Sequence, residues 1–407
     1  MNRRTLATAA FLAILTSSPT LAKTGPTGVI RVLCIGESYH PETVLPLLLD
    51  GDPKLEYNPL PGNIYEATFT FAGPDALRRL TRLYIPRRYE DFILRYDLII
   101  LSDYPMIFLE TDHYRWFERA VREEAAGLAT YELSYKVTGG GYPLEDWWAS
   151  AVYPVFPADL PERLTPVLPD GVRIEKGNPL VDLPGADRFM LFGAGAYGRY
   201  GLEVPRPGAK TIAWFRGTEI DAIMTREYGL GRAAATVPGL DWMDSKTTQE
   251  WDFYPDFFLN QFYWLVGEDI PQDVFLTNAI RRGLRDMQIR TQLVLAVIAF
   301  TETFGASGRS IEMDLKEVSQ LRSQVKDLYL KQDYSEARNT VERCLALMAE
   351  IEGKSLKLKD RALLLIYVIE WAAVSGTTMI CGLAIYTLMV RRRMYKEVSV
   401  TRLTPLG

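Results

Sequence analysis

The stretch WAAVSGTTMICGLAIYTLMV at residues 371–390 decides the architecture of this 407-residue chain. It contains 20 consecutive uncharged residues. At about 1.5 Å per residue, a helix of that length crosses a hydrocarbon core of roughly 30 Å. Aromatic and basic residues typical of membrane interfaces flank it: Trp371 at one end and Arg391, Arg392 and Arg393 at the other. The sequence predicts a transmembrane helix over residues 362–390 and a short basic tail at 391–407.

The first 22 residues have the pattern of an export signal. Arg3 and Arg4 precede an apolar run at residues 6–15, and Thr20-Leu21-Ala22 matches a small-x-small cleavage site. An uncleaved N-terminal anchor is the alternative interpretation. In both cases the positive-inside rule places the bulk of the chain outside the cytoplasm and the C-terminus inside it. We therefore expect a single-pass protein of the plasma membrane.

Charge and cysteine content limit the partners that we expect. The chain carries −5 in total, of which the signal contributes +2 and the tail +4, so the exported part without Glu370 carries −10. A body this acidic repels phosphate backbones, which argues against nucleic acid as a partner. The three cysteines, Cys34, Cys344 and Cys381, lie far apart in sequence and have no zinc-binding spacing. We expect no metal and no cofactor.

Residues 23–268 are predicted to form one α/β domain. Short apolar runs rich in β-branched residues alternate with segments of helical spacing, as in a doubly wound, mostly parallel sheet. Two further runs flanking residues 216–219 predict a hairpin on the edge of the sheet. The predicted parallel strands are VIRVLCI at 29–35, LEY at 55–57, YDLIILS at 96–102, GLATY at 127–131 and AAATV at 233–237.

Residues 269–361 are predicted to form an α-helical stalk, because glycine and proline become rare and helix formers dominate. The apolar segment 293–300 is too short to span a bilayer, so we expect it to pack inside the stalk. The basic segment 354–361 suits the region next to lipid headgroups. The stalk is either a spacer or a docking surface for another membrane or cell-surface protein.

The order of several motifs resembles the class I glutamine amidotransferase-like fold, in particular its membrane-associated, trehalose-utilisation-like relatives. The resemblance covers roughly residues 28–267 and implies a flavodoxin-like sandwich with its site at the carboxyl ends of the strands. The motifs are CIGE at 34–37, YDLIILSDYP at 96–105, GGGY at 139–142, YGLGRAAAT at 228–236 and the aromatic series that begins at Trp242.

The catalytic residues of that family are missing here. The resemblance places a nucleophilic cysteine on a sharp turn that in this chain reads TYELS at 130–134, and a histidine after a late strand that reads GLDW at 239–242. Neither segment contains the expected residue. His40 and His113 are the chain's two histidines. Glutamine hydrolysis by the family mechanism is therefore excluded, and we expect a pseudoenzyme.

The same fold would gather polar and aromatic side chains at one rim of the sheet. Three hypotheses remain open for this rim: a degenerate site made of caps and loops, a cleft for a polar ligand such as a glycan, and a repurposed hydrolase or metal-dependent enzyme. The enzyme hypothesis would use Ser134, His40, Glu37 and Asp103. Trp147 and Trp148 are further candidates for stacking on a sugar. The candidate binding residues are Glu37, His40, Asp103, Glu132, Ser134, Tyr135, Asp241 and Trp242.

Overall fold

The chain divides into two compact units, which are described one at a time. Unit 1 comprises Met1–Arg285 and Gln324–Val341, and unit 2 comprises Asp286–Ser323 and Glu342–Gly407. The predicted signal peptide lies outside the described residues. The computed structural model describes residues 28–36, 49, 51–61, 79, 81–102, 109–131, 147–159, 166–167, 172–189, 199–200, 204–217, 220–236, 251–304 and 307–401.

Strands and helices alternate in unit 1 as the sequence predicts. Its described strands are β1 Ile30–Gly36, β2 Leu55–Pro61, β3 Leu98–Ser102, β4 Gly127–Tyr131, β5 Ala158–Asp159, β6 Pro166–Val167, β7 Val172–Ile174, β8 Arg199–Tyr200, β9 Val204–Pro205, β10 Ala209–Phe215, β11 Asp221–Tyr228 and β12 Gly231–Thr236. The described helices of the whole chain are α1 Tyr89–Arg95, α2 Thr111–Glu124, α3 Ala186–Phe189, α4 Tyr254–Leu265, α5 Val274–Glu302, α6 Arg309–Leu330 and α7 Tyr334–Thr401.

The main sheet has eight strands in the order β2-β1-β3-β4-β12-β11-β10-β7. The five strands from β2 to β12 pair in parallel, as predicted. The pairings β12–β11, β11–β10 and β10–β7 are antiparallel. The predicted hairpin forms from β10 and β11, but its predicted place at the edge is wrong. β7 pairs with β10 on the outer side, so the hairpin lies inside the sheet.

Helices cover both faces of this sheet, because alternate residues of the buried strands point to opposite sides. On one face, α1 and α2 pack against Leu33, Ile99 and Leu128. On the other face, α4 packs against Cys34, Ile100 and other small or apolar positions. Each fully buried aromatic or aliphatic side chain contributes about 1.5–3 kcal/mol relative to exposure. The two-sided burial explains why the parallel strands read as continuous apolar runs.

A tight turn fixes the distance between α2 and the sheet. Gly229 has a φ of 61° and connects β11 to β12. At Gly231, a Cβ atom would lie 2.3 Å from the Ala126 carbonyl oxygen and 2.5 Å from that of Val121. Only glycine therefore allows β12 to approach the end of α2 this closely.

A buried charge cluster holds the beginning of α5 and the end of α6 against the α/β part of unit 1. The Arg281 Nε atom donates to Asp52 Oδ2 at 2.7 Å, and its Nη1 atom pairs with Asp256. The hydroxyls of Tyr263 and Tyr329 also donate to Asp52 Oδ2, at 2.6 and 3.0 Å. The sequence analysis did not foresee this cluster.

Unit 2 contains the remaining parts of α5, α6 and α7. Lys354 Nζ pairs with Asp314 at 2.9 Å, and Arg290 pairs with Glu352 at 3.3 Å. Along α7, Ala362 is buried, and the described positions from 363 to 395 are half-buried or exposed. This helix is the one described helix long and apolar enough to cross a membrane, and its most apolar window is not buried.

The prediction that residues 293–300 pack inside the helical region is wrong for half of this segment. Val294 and Ile298 are 2% and 4% exposed, but Leu293 is 61% exposed and Phe300 is 44% exposed. The segment is apolar on all sides, whereas unit 2 covers only one of those sides. Its other side is an exposed apolar surface.

Candidate ligand-binding edge of the sheet

The candidate site is the edge at which the five parallel strands end. The strand register aligns Gly36 of β1 with Ser102 of β3, Ser102 with Tyr131 of β4, and Tyr131 with Thr236 of β12. Residues paired across neighbouring strands point to the same face. The side chains of Ser102, Tyr131 and Thr236 therefore form a row, which we call the hydroxyl row, on the face covered by α4.

The hydroxyl row is buried, and no described residue hydrogen-bonds to its hydroxyls. Ser102, Tyr131 and Thr236 are 0%, 1% and 3% exposed. Within the described part of the chain, the Oγ atom of Ser102, the phenol oxygen of Tyr131 and the Oγ1 atom of Thr236 each make no hydrogen bond. Nearly all buried polar groups in folded proteins are hydrogen-bonded, and an unsatisfied one costs about 1–3 kcal/mol. Three such groups in one register row indicate a place prepared for a polar partner.

A fourth unpartnered group lies on the helix that covers this row. Gln261 of α4 is 1% exposed, and neither its amide nitrogen nor its amide oxygen has a partner among the residues that the structure describes. It lies one helical turn from Phe258, whose ring centroid is 5.9 Å from that of Tyr131. The Gln261 amide therefore belongs to the same helix–sheet interface as the hydroxyl row.

The phenol of Tyr131 remains protonated. Burial raises the pKa of Tyr131 far above its usual value, and the nearby Cys34 side chain raises it further. A neutral phenol donates one hydrogen bond and accepts others, as do the serine and threonine hydroxyls. The described part of the site therefore provides neutral donors and acceptors, which suit an uncharged polar group.

The backbone at this edge also suits a binding site. The strand order reverses between β1 and β3, and open α/β sheets bind ligands at the carboxyl ends of strands that flank such a switch point. Gly36 ends β1 there with a φ of 108°, a conformation that side chains disfavour. Ser102 of β3, which pairs with Gly36 across the two strands, is the member of the hydroxyl row closest to the switch point.

The eight candidate binding residues of the sequence analysis lie outside the described residues. Three of them follow strands whose ends are described: Glu37 comes directly after β1, Asp103 after β3 and Glu132 after β4. The expectation that the strand ends meet at one edge is confirmed by the register. The roles assigned to the side chains of Glu37, His40, Asp103, Glu132, Ser134, Tyr135, Asp241 and Trp242 stay predictions.

Trp147, a candidate for stacking on a sugar, has a structural role instead, and so does His113. Trp147 is fully buried, and its ring packs edge-on against Tyr114 at 6.0 Å, so it offers no stacking face for a sugar. His113 lies at the start of α2, where its Nδ1 atom accepts the backbone N–H of Glu110 at 3.2 Å. Burial lowers the pKa of His113. Trp148 is 36% exposed.

Sequence reasoning did not identify the hydroxyl row or Gln261. Ser102 and Tyr131 stand at the last positions of predicted strands, and Thr236 stands one residue before the end of the predicted strand 233–237. The sequence therefore carried only a partial signal, a hydroxyl residue at or next to the end of three predicted strands. Recognising the row required the strand register and the lack of hydrogen-bond partners among the described residues, and only the tertiary structure shows these.

Comparison with known proteins assigns no family. No protein-family model matches the chain, and no curated protein matches it in sequence. The β-galactosidase from Rahnella sp. R3 is similar over 58% of this chain and 31% of its own, at 14% identity and a TM-score of 0.32. A catalytic variant of Gan42B, a GH42 β-galactosidase from G. stearothermophilus, is similar over 58% of this chain and 30% of its own, at 14% identity and a TM-score of 0.29. The match thus spans under a third of those enzymes.

Proposed function

We propose that this chain is a membrane-anchored, extracytoplasmic binding or scaffolding protein that holds a polar ligand at the carboxyl edge of its sheet without catalysis. The hydroxyl row carries the proposal. Three buried hydroxyls at the edge where such sheets bind ligands lack partners among the described residues, as does the Gln261 amide on the helix that covers them. A ligand that hydrogen-bonds to them offsets a cost of about 1–3 kcal/mol for each group.

The fold supports a relationship with the amidotransferase-like domains. The parallel strands follow the order β2-β1-β3-β4-β12, which is the order of flavodoxin-like sheets. In such a domain the nucleophile and base of the family would stand just after β4 and after β12, and this sequence has neither cysteine nor histidine there. Binding has therefore replaced the family's chemistry. A glycan suits a site of neutral hydroxyl and amide groups.

The membrane anchor is the apolar part of α7. Trp371, 72% exposed, stands at one end of the uncharged stretch, and the three arginines Arg391–Arg393 follow the other end. By the positive-inside rule these arginines lie in the cytoplasm, so the α/β domain lies on the opposite side of the membrane. The ligand would accordingly be met at the cell surface.

Thermal unfolding of the full chain in detergent micelles tests the binding function. A panel of neutral sugars, peptides and amino acids is added, and we expect one class to raise the Tm. A ligand at 100 times its Kd stabilises by about 2.7 kcal/mol. Tyr131→Phe should reduce the shift, because it removes one hydroxyl of the row. Tyr89→Phe is the matched control, since its phenol oxygen is also buried without a partner but belongs to the opposite face of the sheet.

Two results would contradict the proposal. If no ligand class changes the Tm, or if Tyr131→Phe and Tyr89→Phe reduce the shift equally, the hydroxyl row does not bind. Turnover of an amide, ester or glycoside that is lost in Ser134→Ala or His40→Ala would establish the enzyme hypothesis instead. Orientation is checked with protease on intact cells, which should digest the α/β domain and leave a C-terminal tag after residue 407 intact.

A further inference from the structure

The end of unit 2 formed by α5 and α6 exposes aromatic and aliphatic side chains. Phe300 and Phe304 are 44% and 39% exposed, and their ring centroids are 5.1 Å apart. Leu293 and Leu295 on the same helix are 61% and 47% exposed. No charged residue interrupts α5 between Arg290 and Glu302. Exposed apolar surfaces of this kind mark contacts with another phase or partner.

Contacts within unit 2 place this end relative to the apolar part of α7. Arg290 of α5 pairs with Glu352 of α7, and Thr291 Oγ1 lies 4.0 Å from Met348 Sδ. Phe300 lies nine or ten residues further along α5 than these contacts, which is about 15 Å at the helical rise. The same advance along α7 ends between residues 357 and 362, because α5 and α7 are each antiparallel to α6 and therefore run in the same direction.

The contact between α6 and α7 places the α5–α6 end at the same position along α7. Asp314 of α6 pairs with Lys354 of α7. From Asp314 to the first residue of α6, Arg309, is about 7.5 Å in the direction of the membrane-spanning end of α7. Gly308 lies against the Ile298 side chain, which closes the α5–α6 end. α5 and α6 therefore end near the level of Ala362, the last buried residue among the described side chains of α7, and α7 continues beyond them.

The apolar run of α7 begins at this level. Leu364 and Leu365 are 65% and 48% exposed, and the uncharged helix continues through 369 and, after Glu370, through 390. Phe300 and Phe304 thus stand beside the point at which α7 enters lipid. Trp and Tyr are enriched at that depth, and Phe and Leu form the apolar face that interfacial helices bury at the boundary between headgroups and acyl chains.

Basic and acidic side chains both lie at the same level. Lys357 and Arg361 of α7 and Arg309 of α6 are exposed, and so are Asp360 of α7 and Glu302 of α5. Each basic residue near an anionic membrane surface contributes about 1 kcal/mol of attraction, which the acidic residues reduce. The apolar surface, with basic residues at its margin, therefore fits one partner, a lipid surface with phosphate headgroups.

We propose that the α5–α6 end of unit 2, through Phe300 and Phe304, is a second membrane contact that inserts into the headgroup region beside the α7 span. This inference rests on the membrane anchor of the proposed function, and it is independent of the ligand site and of the orientation. Lipid is the occupant because the covalent connection to the span keeps this surface at the bilayer. A two-point contact restrains tilting of the helix bundle on the membrane.

The test uses the full chain reconstituted into vesicles of phosphatidylcholine and phosphatidylglycerol. Cys381 is replaced by alanine, and the buried Cys34 and Cys344 are kept. A solvatochromic dye is attached at Phe304→Cys or at the control Gln320→Cys, which is also exposed but lies eleven residues beyond Arg309 on α6. A third variant, Ser375→Cys, reports on the span. Quenching by nitroxide lipids and by aqueous iodide is measured for each.

We expect the dye at position 304 to have blue-shifted emission, to be quenched by nitroxide lipids and to be protected from iodide, whereas the dye at 320 is quenched by iodide only. If the dye at 375 is quenched by lipid and the dye at 304 by iodide, the second contact is refuted and the anchor stands. Protection of the dye at 304 from both quenchers shows that another protein chain covers this surface, which also refutes the proposal. Loss of lipid quenching at 375 refutes both the anchor and the second contact.

Discussion

Replacing Arg281 by methionine tests the energetic role of the buried charge cluster. The Arg281 side chain is 4% exposed, and the two carboxylates with which it pairs, on Asp52 and Asp256, are fully buried. Burial raises the pKa of Asp256, an effect that Arg281 opposes. Without the guanidinium, the carboxylates of Asp52 and Asp256 remain in the interior and have lost the cation that pairs with both of them. Breaking a buried pair in this way destabilises by about 3–5 kcal/mol.

The neighbouring arginine is a matched control. Arg282 pairs with Asp252 at 2.8 Å, nearly the 2.7 Å of the Arg281–Asp52 pair, but its side chain is 50% exposed and that of Asp252 is 62% exposed. Exposed pairs contribute about 0.2–1 kcal/mol, because water and salt screen them. We expect Arg282→Met to cost less than about 1 kcal/mol. The two variants share helix and residue type and differ in burial and in the number of carboxylates paired, two for Arg281 and one for Arg282.

Denaturant unfolding of the full chain in micelles, followed by tryptophan fluorescence, measures both variants. Equal free energies of unfolding for Arg281→Met and Arg282→Met would refute the argument from burial. Adding Asp52→Asn and Asp256→Asn to Arg281→Met should recover part of the loss, because the unpaired charges are then removed. A further loss in the triple variant would show that hydrogen bonding by the aspartates outweighs their charge.

Three further predictions concern single side chains. Burial lowers the pKa of His113, so folding favours the neutral imidazole. The contribution of His113 to the free energy of unfolding is therefore complete above a pH of about 6.5 and is lost as the pH falls through the pKa of His113 in the folded state. His113→Gln should reduce this acid sensitivity in unfolding measured between pH 7 and 5. Gly231→Ala should destabilise by about 1–3 kcal/mol, because its Cβ would overlap the Ala126 carbonyl. Tyr96→Phe should cost about 1 kcal/mol, since it removes a 2.6 Å hydrogen bond to a backbone carbonyl.

Each of these has a contrasting variant or outcome. An unchanged pH dependence in His113→Gln would assign the acid sensitivity to other groups. Gly353→Ala is the control for Gly231→Ala, since a Cβ at 353 meets no atom within 4 Å and the exposed helix should gain about 0.5–1 kcal/mol. Tyr131→Phe contrasts with Tyr96→Phe, because removing an unpartnered hydroxyl should not destabilise the free protein. A loss as large as that of Tyr96→Phe would contradict the description of the hydroxyl row.

Much of the α/β fold could be predicted from local sequence. Four of the five parallel strands were located by buried apolar runs, since a strand covered on both faces excludes polar residues. Of β2, only the first three residues were predicted. β4 begins and ends at the predicted residues, and β1 and β3 lie within two residues of prediction. The place of the β10–β11 hairpin was wrong because the outer strand, β7, has three residues and too little pattern to be recognised.

The candidate site could be predicted only as a location. Parallel strands share a carboxyl edge, so the residues that follow them were expected to meet there, and the register confirms that the strand ends align. The hydroxyl row was missed because Ser102, Tyr131 and Thr236 are ordinary strand residues until their neighbours are known. The burial of Trp147 was missed because an isolated tryptophan in sequence is equally compatible with a core and a surface.

By itself, the sequence determined the alternation of strands and helices and the apolar helix near the C-terminus. These depend on composition and on periodicity over neighbouring residues, which the chain carries locally. Tertiary structure alone decided which hydroxyls have no partner, that Arg281 joins two buried aspartates, and that Phe300 and Phe304 lie level with the start of the apolar helix. These facts depend on contacts between residues far apart in the chain, and the hydrogen-bonding and burial energies of such contacts exist only once the chain has folded.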